Sequence, residues 1–310
     1  MFDQQAIDAL GQAHTVLIAG CGGGYDVFGG IPLMAELEKE GKTVHLASLS
    51  FSALDTLAYA QSIAPHLFRV DASAATESAY CPEAWLSSWA LNVRGRDIPV
   101  WCFENVGAVQ LRRAYSHLIE TLQPDTVVLI DGGVDALLRG DETSLGTPSE
   151  DFASLAAVSS LTVPRKILAC IGFGAEMRDG ICHAQVFERI AELTARGGFL
   201  GLWPLLPDRE VTRLYIDALE YSAKHQRSQR GSHIHKVICA SLAGECGGAA
   251  DDVWPSPLAN IYWFFSVDVV AKTNLLLPHI EDAESMWQIA ATIEAARKNM
   301  TLKTRSAIPL

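Results

Sequence analysis

Residues 15–26 read TVLIAGCGGGYD and residues 126–135 read TVVLIDGGVD. Each is a short apolar run that stops abruptly in glycines and an aspartate. A continuous apolar run of this length, bounded by glycine, is the pattern of a strand buried on both faces, as in a parallel sheet. Behind the first run, Val27, Ile31, Met34 and Leu37 keep helical spacing as far as Gly41, which predicts a helix over 26–41.

The same alternation continues along the chain. Further strands are expected at 43–49 (TVHLASL), 98–103 (IPVWCF), 166–171 (KILACI) and 235–240 (HKVICA). Further helices are expected at 106–122, at 149–161 with Ser149 as N-cap, at 183–196, at 208–226 and at 284–299. Strands separated by helices predict a Rossmann-like, doubly wound α/β fold, its mostly parallel sheet covered by helices on both faces. With no clear linker, residues 1–310 read as a single α/β domain with an inserted segment at about 55–97. In that insert, Cys81-Pro82-Glu83 followed by Trp85 and Trp89 suggests a short helix packed over the sheet. The polar stretch 227–232 (RSQRGS) reads as an exposed loop.

Composition bounds the function. Of 310 residues, 49% are hydrophobic and 19% charged, which fits a folded chain with a sizeable core. Lys+Arg 24 against Asp+Glu 36 gives a net charge of -12, which argues against binding nucleic acid or an anionic membrane surface. The opening MFDQQAIDAL has no basic segment and apolar run. The most apolar stretch, 261–267 (IYWFFSV), meets Asp268 and falls far short of the roughly 20 residues a spanning helix needs. The 7 cysteines are scattered without a C-x-x-C pair, which fits reduced thiols in a cytoplasmic protein and gives no support to structural zinc. Trp263-Phe264-Phe265 reads as core or as a contact in a homo-oligomer.

In open parallel sheets ligands bind beyond the carboxyl ends of the strands. The residues there are unusually uniform: Gly20 to Asp26, then Ser48 and Ser50, Glu104 and Asn105, Asp131 to Asp135, Gly172 to Glu176, and Ser241 with Glu245. Gly22, Gly23 and Gly24 lead into a helix N-terminus at Asp26, a cradle for phosphate, sulfate or carboxylate built from backbone N–H groups. Gly20-x-Gly22-x-Gly24 also resembles the first motif of S-adenosylmethionine-dependent methyltransferases and part of a dinucleotide fingerprint, although Tyr25 replaces the third glycine. Strand 43–49 ends without the acid that would read a ribose, so these cofactors are the alternative. No Walker pattern or G-x-S-x-G elbow is present.

Asp131 and Asp135, flanked by Gly132 and Gly133, are the expected catalytic pair. Crowded carboxylates repel, so one keeps its proton or a cation joins them. They can serve as general base, or hold Mg²⁺ with waters; Mg²⁺ is compatible but not required, and no residue set is assigned as metal ligands. Gly132, Gly133, Thr147, Glu176, Ser48, Glu104, Asn105 and Ser241 are expected ligand contacts, whereas Asp141, Glu142, Glu150 and Asp151 read as a solvated acidic loop with helix caps. His233-x-His235 reads as a surface strand edge, and Cys182-His183 as neighbours whose side chains diverge.

Three stretches, 20–33 (GCGGGYDVFGGIPL), 130–151 (IDGGVDALLRGDETSLGTPSED) and 197–201 (GGFLG), resemble the DUF1152 family of bacteria and archaea. The resemblance implies a Rossmann-like fold and carries no activity, substrate or catalytic assignment. The residues themselves lead to an enzyme acting on a small anionic or phosphorylated metabolite by carboxylate-assisted group transfer, hydrolysis or intramolecular displacement. A nucleotide-cofactor transferase and a non-catalytic ligand-binding or partner subunit are the alternatives.

Overall fold

The two glycine-terminated runs lie side by side. In the computed structural model, which describes residues 5–77, 79–226, 231–247 and 255–304, β1 (Thr15–Gly20) pairs in parallel with β6 (Thr126–Gly132). On its other side β1 pairs in parallel with β2 (Thr43–Leu49). The remaining strands are β3 (Gln61–Ala64), β4 (Leu67–Val70), β5 (Val100–Phe103), β7 (Arg165–Ile171), β8 (Phe199–Pro204) and β9 (Ile261–Ser266). They form a 9-stranded sheet in the order β3-β4-β5-β2-β1-β6-β7-β9-β8. The central β5-β2-β1-β6-β7 block is parallel, and antiparallel pairs finish both edges.

The chain steps outward from β1 to β2 in one direction and to β6 in the other. The strand order therefore reverses between β1 and β6, which opens a crevice beyond their carboxyl ends. Both faces of the central strands are buried, as the unbroken apolar runs require. Val16 and Ile18 pack into one layer with Phe28, Ile31 and Met34; Leu17 and Ala19 pack into the other with Leu111, Tyr115, Leu155 and Val158. This is the expected Rossmann-like α/β arrangement.

Several local expectations are corrected. Residues 235–240 are not a strand but part of helix His233–Leu242, with Ile234, Val237, Ile238 and Leu242 buried at helical spacing and Ser232 accepting the His235 N–H. A short apolar run is ambiguous in period, and here the cap and the phase decide. Ser241 therefore sits in a helix, where its hydroxyl donates to the Ser256 carbonyl at 2.7 Å and to Asn260 Oδ1 at 3.1 Å. The insert does carry a helix, Pro82–Arg94, that buries Trp85 and Trp89, but it also contributes the β3–β4 hairpin that extends the sheet beyond β5. Helix Pro148–Ser159 starts one residue before Ser149, with Thr147 at the N-cap and Pro148 in the first turn. The aromatic run 261–266 is β9, which inserts antiparallel between β7 and β8 and buries Phe264 and Phe265. Residues 227–230 of the polar loop lie outside the described residues. Among the described residues no helix is long and apolar enough to cross a membrane.

Candidate functional site

The crevice between β1 and β6 is filled with acids. Asp131 is a residue of β6 and pairs across the sheet with Cys170 of β7. Asp26 opens the 3-10 turn that follows the first glycine loop, and Asp135 opens the turn that follows β6. Asp151 comes from the first turn of helix Pro148–Ser159, and Glu176 from the turn after β7. Their carboxylates converge. One oxygen each of Asp131, Asp135 and Asp151 lie within 4.8 Å of one another, and so do Cys21 Sγ and oxygens of Asp26 and Asp151. Asp151 belongs to both groups.

Asp131, Asp135, Asp151 and Glu176 are buried, while Asp26 is half-buried. Among the described residues no Lys, Arg or His forms an ion pair with any of them. Their stabilisation comes from backbone N–H groups and thiols. Gly22 N–H donates to Asp26 at 2.7 Å, Val134 N–H to Glu176 at 2.5 Å, and Ala136 N–H to Asp131 at 3.2 Å. Thr147 donates both its N–H and its hydroxyl to Asp135, each at 3.3 Å. Cys21 Sγ donates to Asp151 at 3.2 Å and Cys170 Sγ to Asp131 at 3.5 Å. Asp135 and Glu176 lie close enough to act on each other, and their mutual repulsion in a buried site favours a proton on one of them.

Burial, and then mutual repulsion, raise the pKa of Asp131, Asp151 and Glu176 well above the usual carboxylate range. For Asp26 burial lifts the value to about 7 against the pull of the Gly22 and Gly132 N–H groups. Burial likewise raises Cys21 and Cys170, with the neighbouring carboxylates adding to it, so both thiols stay protonated donors.

The glycines have a specific use here. A Cβ on Gly22 would stand 2.7 Å from Asp26 Oδ2 and 2.9 Å from Asp151 Oδ1; one on Gly132 would stand 2.5 Å from Asp26 Oδ1. Gly133, at φ +153°, has the Glu176 carboxylate where its Cβ would be. Two of the three donors of the expected anion cradle are engaged within the protein. Gly22 N–H is engaged by Asp26, and Gly24 N–H donates to the Leu49 carbonyl at 3.1 Å. The first anion the loop holds is the protein's own.

Of the other expected contacts, Ser48 stands at the end of β2 and donates to Glu83 at 3.0 Å. Glu83 is fully buried under Ser48, Ser52 and Cys81, so it offers no open oxygen to a ribose. Glu104 pairs with His66 at 2.7 Å, and Asn105 donates to Glu150; both lie beside the crevice, not among its carboxylates. Asp141 and Glu142 are buried, not solvated: Glu142 accepts the N–H groups of Arg139 and Gly140, each at 2.8 Å. Asp151, read as a loop acid, is a central member of the cluster, and the signal for it was helical phase. It shares the buried face with Leu155 and Val158, spaced as i, i+4 and i+7. Cys21 and Cys170 were also missed.

His235 lies on a helix and braces the glycine loop. Its Nε2 is 2.8 Å from the Tyr25 carbonyl and its Nδ1 is 2.6 Å from the Tyr215 hydroxyl. A carbonyl only accepts, so Nε2 carries the proton and Nδ1 accepts from Tyr215. Burial lowers its pKa to about 4, in keeping with a neutral ring.

The sheet order and the strand-end crevice define a doubly wound, Rossmann-like α/β protein with an acidic centre at its switch point. The model of the family described as "Protein of unknown function (DUF1152)" matches residues 17–302, and the chain belongs to that family. Comparison with curated proteins found no match.

Proposed function

We propose that this chain is a cytoplasmic, divalent-cation-dependent enzyme acting on a small anionic metabolite, with a phosphorylated compound as the favoured substrate. The observation that carries the reading is the convergence of Asp131, Asp135 and Asp151 within 4.8 Å, buried and with no basic partner among the described residues. Burying several carboxylates together is costly unless they are protonated or share a cation. Oxygen ligands of this kind suit Mg²⁺ or Mn²⁺.

The cation also resolves a conflict in the expected site. An anionic substrate is repelled by this crevice, and two of the expected loop donors are already engaged. A metal held by Asp131, Asp135 and Asp151 would give the substrate's anionic group a positive partner next to half-buried Asp26. Glu176, raised by burial beside Asp135, would supply the acid–base group, giving a proton to the leaving group and taking one from water or a substrate amine. Group transfer, hydrolysis and intramolecular displacement all use these parts.

The experiment is a product screen over phosphorylated metabolites with Mn²⁺ or Mg²⁺, repeated in EDTA and with Asp131→Asn. Turnover is expected in the wild type with metal, with a loss of about 10²-fold or more in EDTA and in the variant. Turnover indifferent to both changes would reject the reading. Tight ligand binding without turnover would favour a sensor or partner subunit instead.

A further inference from the structure

The rim of the acidic crevice carries two aromatic side chains that the chemistry above does not use. Phe51 follows β2 and is 49% exposed. The tip of its ring rests on Gly23, in the space a Cβ would take. Tyr80, just before helix Pro82–Arg94, places its hydroxyl on the neighbouring glycine, 2.6 Å from where a Gly24 Cβ would stand. That hydroxyl makes no hydrogen bond among the described residues. Gly23 and Gly24 both have positive φ, so a side chain at either would be strained as well as obstructed. The loop that holds Asp26 through Gly22 N–H thus holds two rings on its next two residues.

A half-exposed aromatic ring and a phenol hydroxyl without an internal partner, seated on adjacent glycines of the loop beside the carboxylates, match a flat ring that carries an acceptor atom. We propose that Phe51 and Tyr80 form the substrate-recognising wall of the site, and that the substrate is an anionic metabolite bearing a planar heteroaromatic ring. Phe51 takes the ring by stacking, and Tyr80 donates to an acceptor on it. Burial and the nearby Glu83 charge hold the Tyr80 hydroxyl in its protonated, donating form. The substrate class rests on the metal-dependent reading above, because the anionic group would be held at the carboxylates.

The test is calorimetric binding of adenosine 5′-monophosphate and of ribose 5-phosphate to the full chain with Mn²⁺, with Mn²⁺ occupancy followed separately by electron paramagnetic resonance. The wild type is expected to bind the nucleotide about tenfold more tightly than the sugar phosphate. Phe51→Ala should erase that preference and Phe51→Trp should keep it. Tyr80→Phe should weaken the nucleotide several-fold and leave the sugar phosphate unchanged. Equal affinities in the wild type, a preference that survives Phe51→Ala, or no nucleotide binding would each overturn the wall. If Mn²⁺ does not bind but the ring preference persists in EDTA, the wall stands and the metal reading fails. If Mn²⁺ binds and the preference is absent, the reverse holds.

Discussion

In metal-free buffer at about pH 8, Asp26→Asn is expected to melt about 5 °C above the wild type. The sign follows from linkage. The Asp26 carboxyl has a pKa of about 7 in the folded chain, against an ordinary value of 3.8. A raised folded value means that the folded state binds the proton more tightly than the unfolded state does. The stability this gives is complete below the unfolded value and is lost as pH rises through the folded one. At pH 8 the wild type therefore bears a charge in a crevice already crowded with acids, and asparagine does not. A shift of that size corresponds to at most about 4 kcal/mol, and the Asp131, Asp135 and Asp151 charges around it share in the same balance. The advantage of the variant should shrink on acidification and vanish near pH 4. Thermal melts across pH in EDTA check this. A gap that is constant with pH would show that Asp26 is not charged at the expense of the fold. Saturating Mn²⁺, held by Asp131, Asp135 and Asp151, should raise the Tm of both proteins by about 10 °C.

Gly133→Ala is the second large effect. Its backbone, at φ +153°, is one that L residues rarely adopt, and the Glu176 carboxylate occupies the Cβ position. Strain and overpacking together cost about 3 kcal/mol, a fall of roughly 6 °C in Tm. The methyl displaces Glu176 from the Val134 N–H and from its place beside Asp135. Adding Glu176→Ala should return part of the Tm by removing the clash, while the φ penalty remains. Circular dichroism melts of the single and double variants measure both parts. A double variant no more stable than Gly133→Ala would remove the carboxylate clash from the explanation.

The parallel centre of the sheet was legible in the sequence because its strands are buried on both faces and read as unbroken apolar runs. Their glycine ends also placed the crevice. The edges were harder. β8 and β9 pair antiparallel, and the aromatic run of β9 lies far along the chain from β7, which it joins. The run 235–240 satisfied a strand template by composition while Ile234, Val237, Ile238 and Leu242 satisfied a helix by phase. At the site, Asp131, Asp135 and Glu176 were found by the strand-end rule. Asp151 was hidden because it enters from a helix, and only its phase with Leu155 betrays it. The glycines signalled close approach without naming the visitor. A sequence shows that Gly22, Gly132 and Gly133 leave room; only the fold shows that Asp26, Asp151 and Glu176 use it.

The most direct measurement is an anomalous difference map from crystals soaked in Mn²⁺. One strong peak should lie among the carboxylate oxygens of Asp131, Asp135 and Asp151, and it should disappear in Asp131→Asn. A map with no peak at the ends of β1 and β6, or with manganese bound only elsewhere, would contradict a metal-dependent centre in this chain.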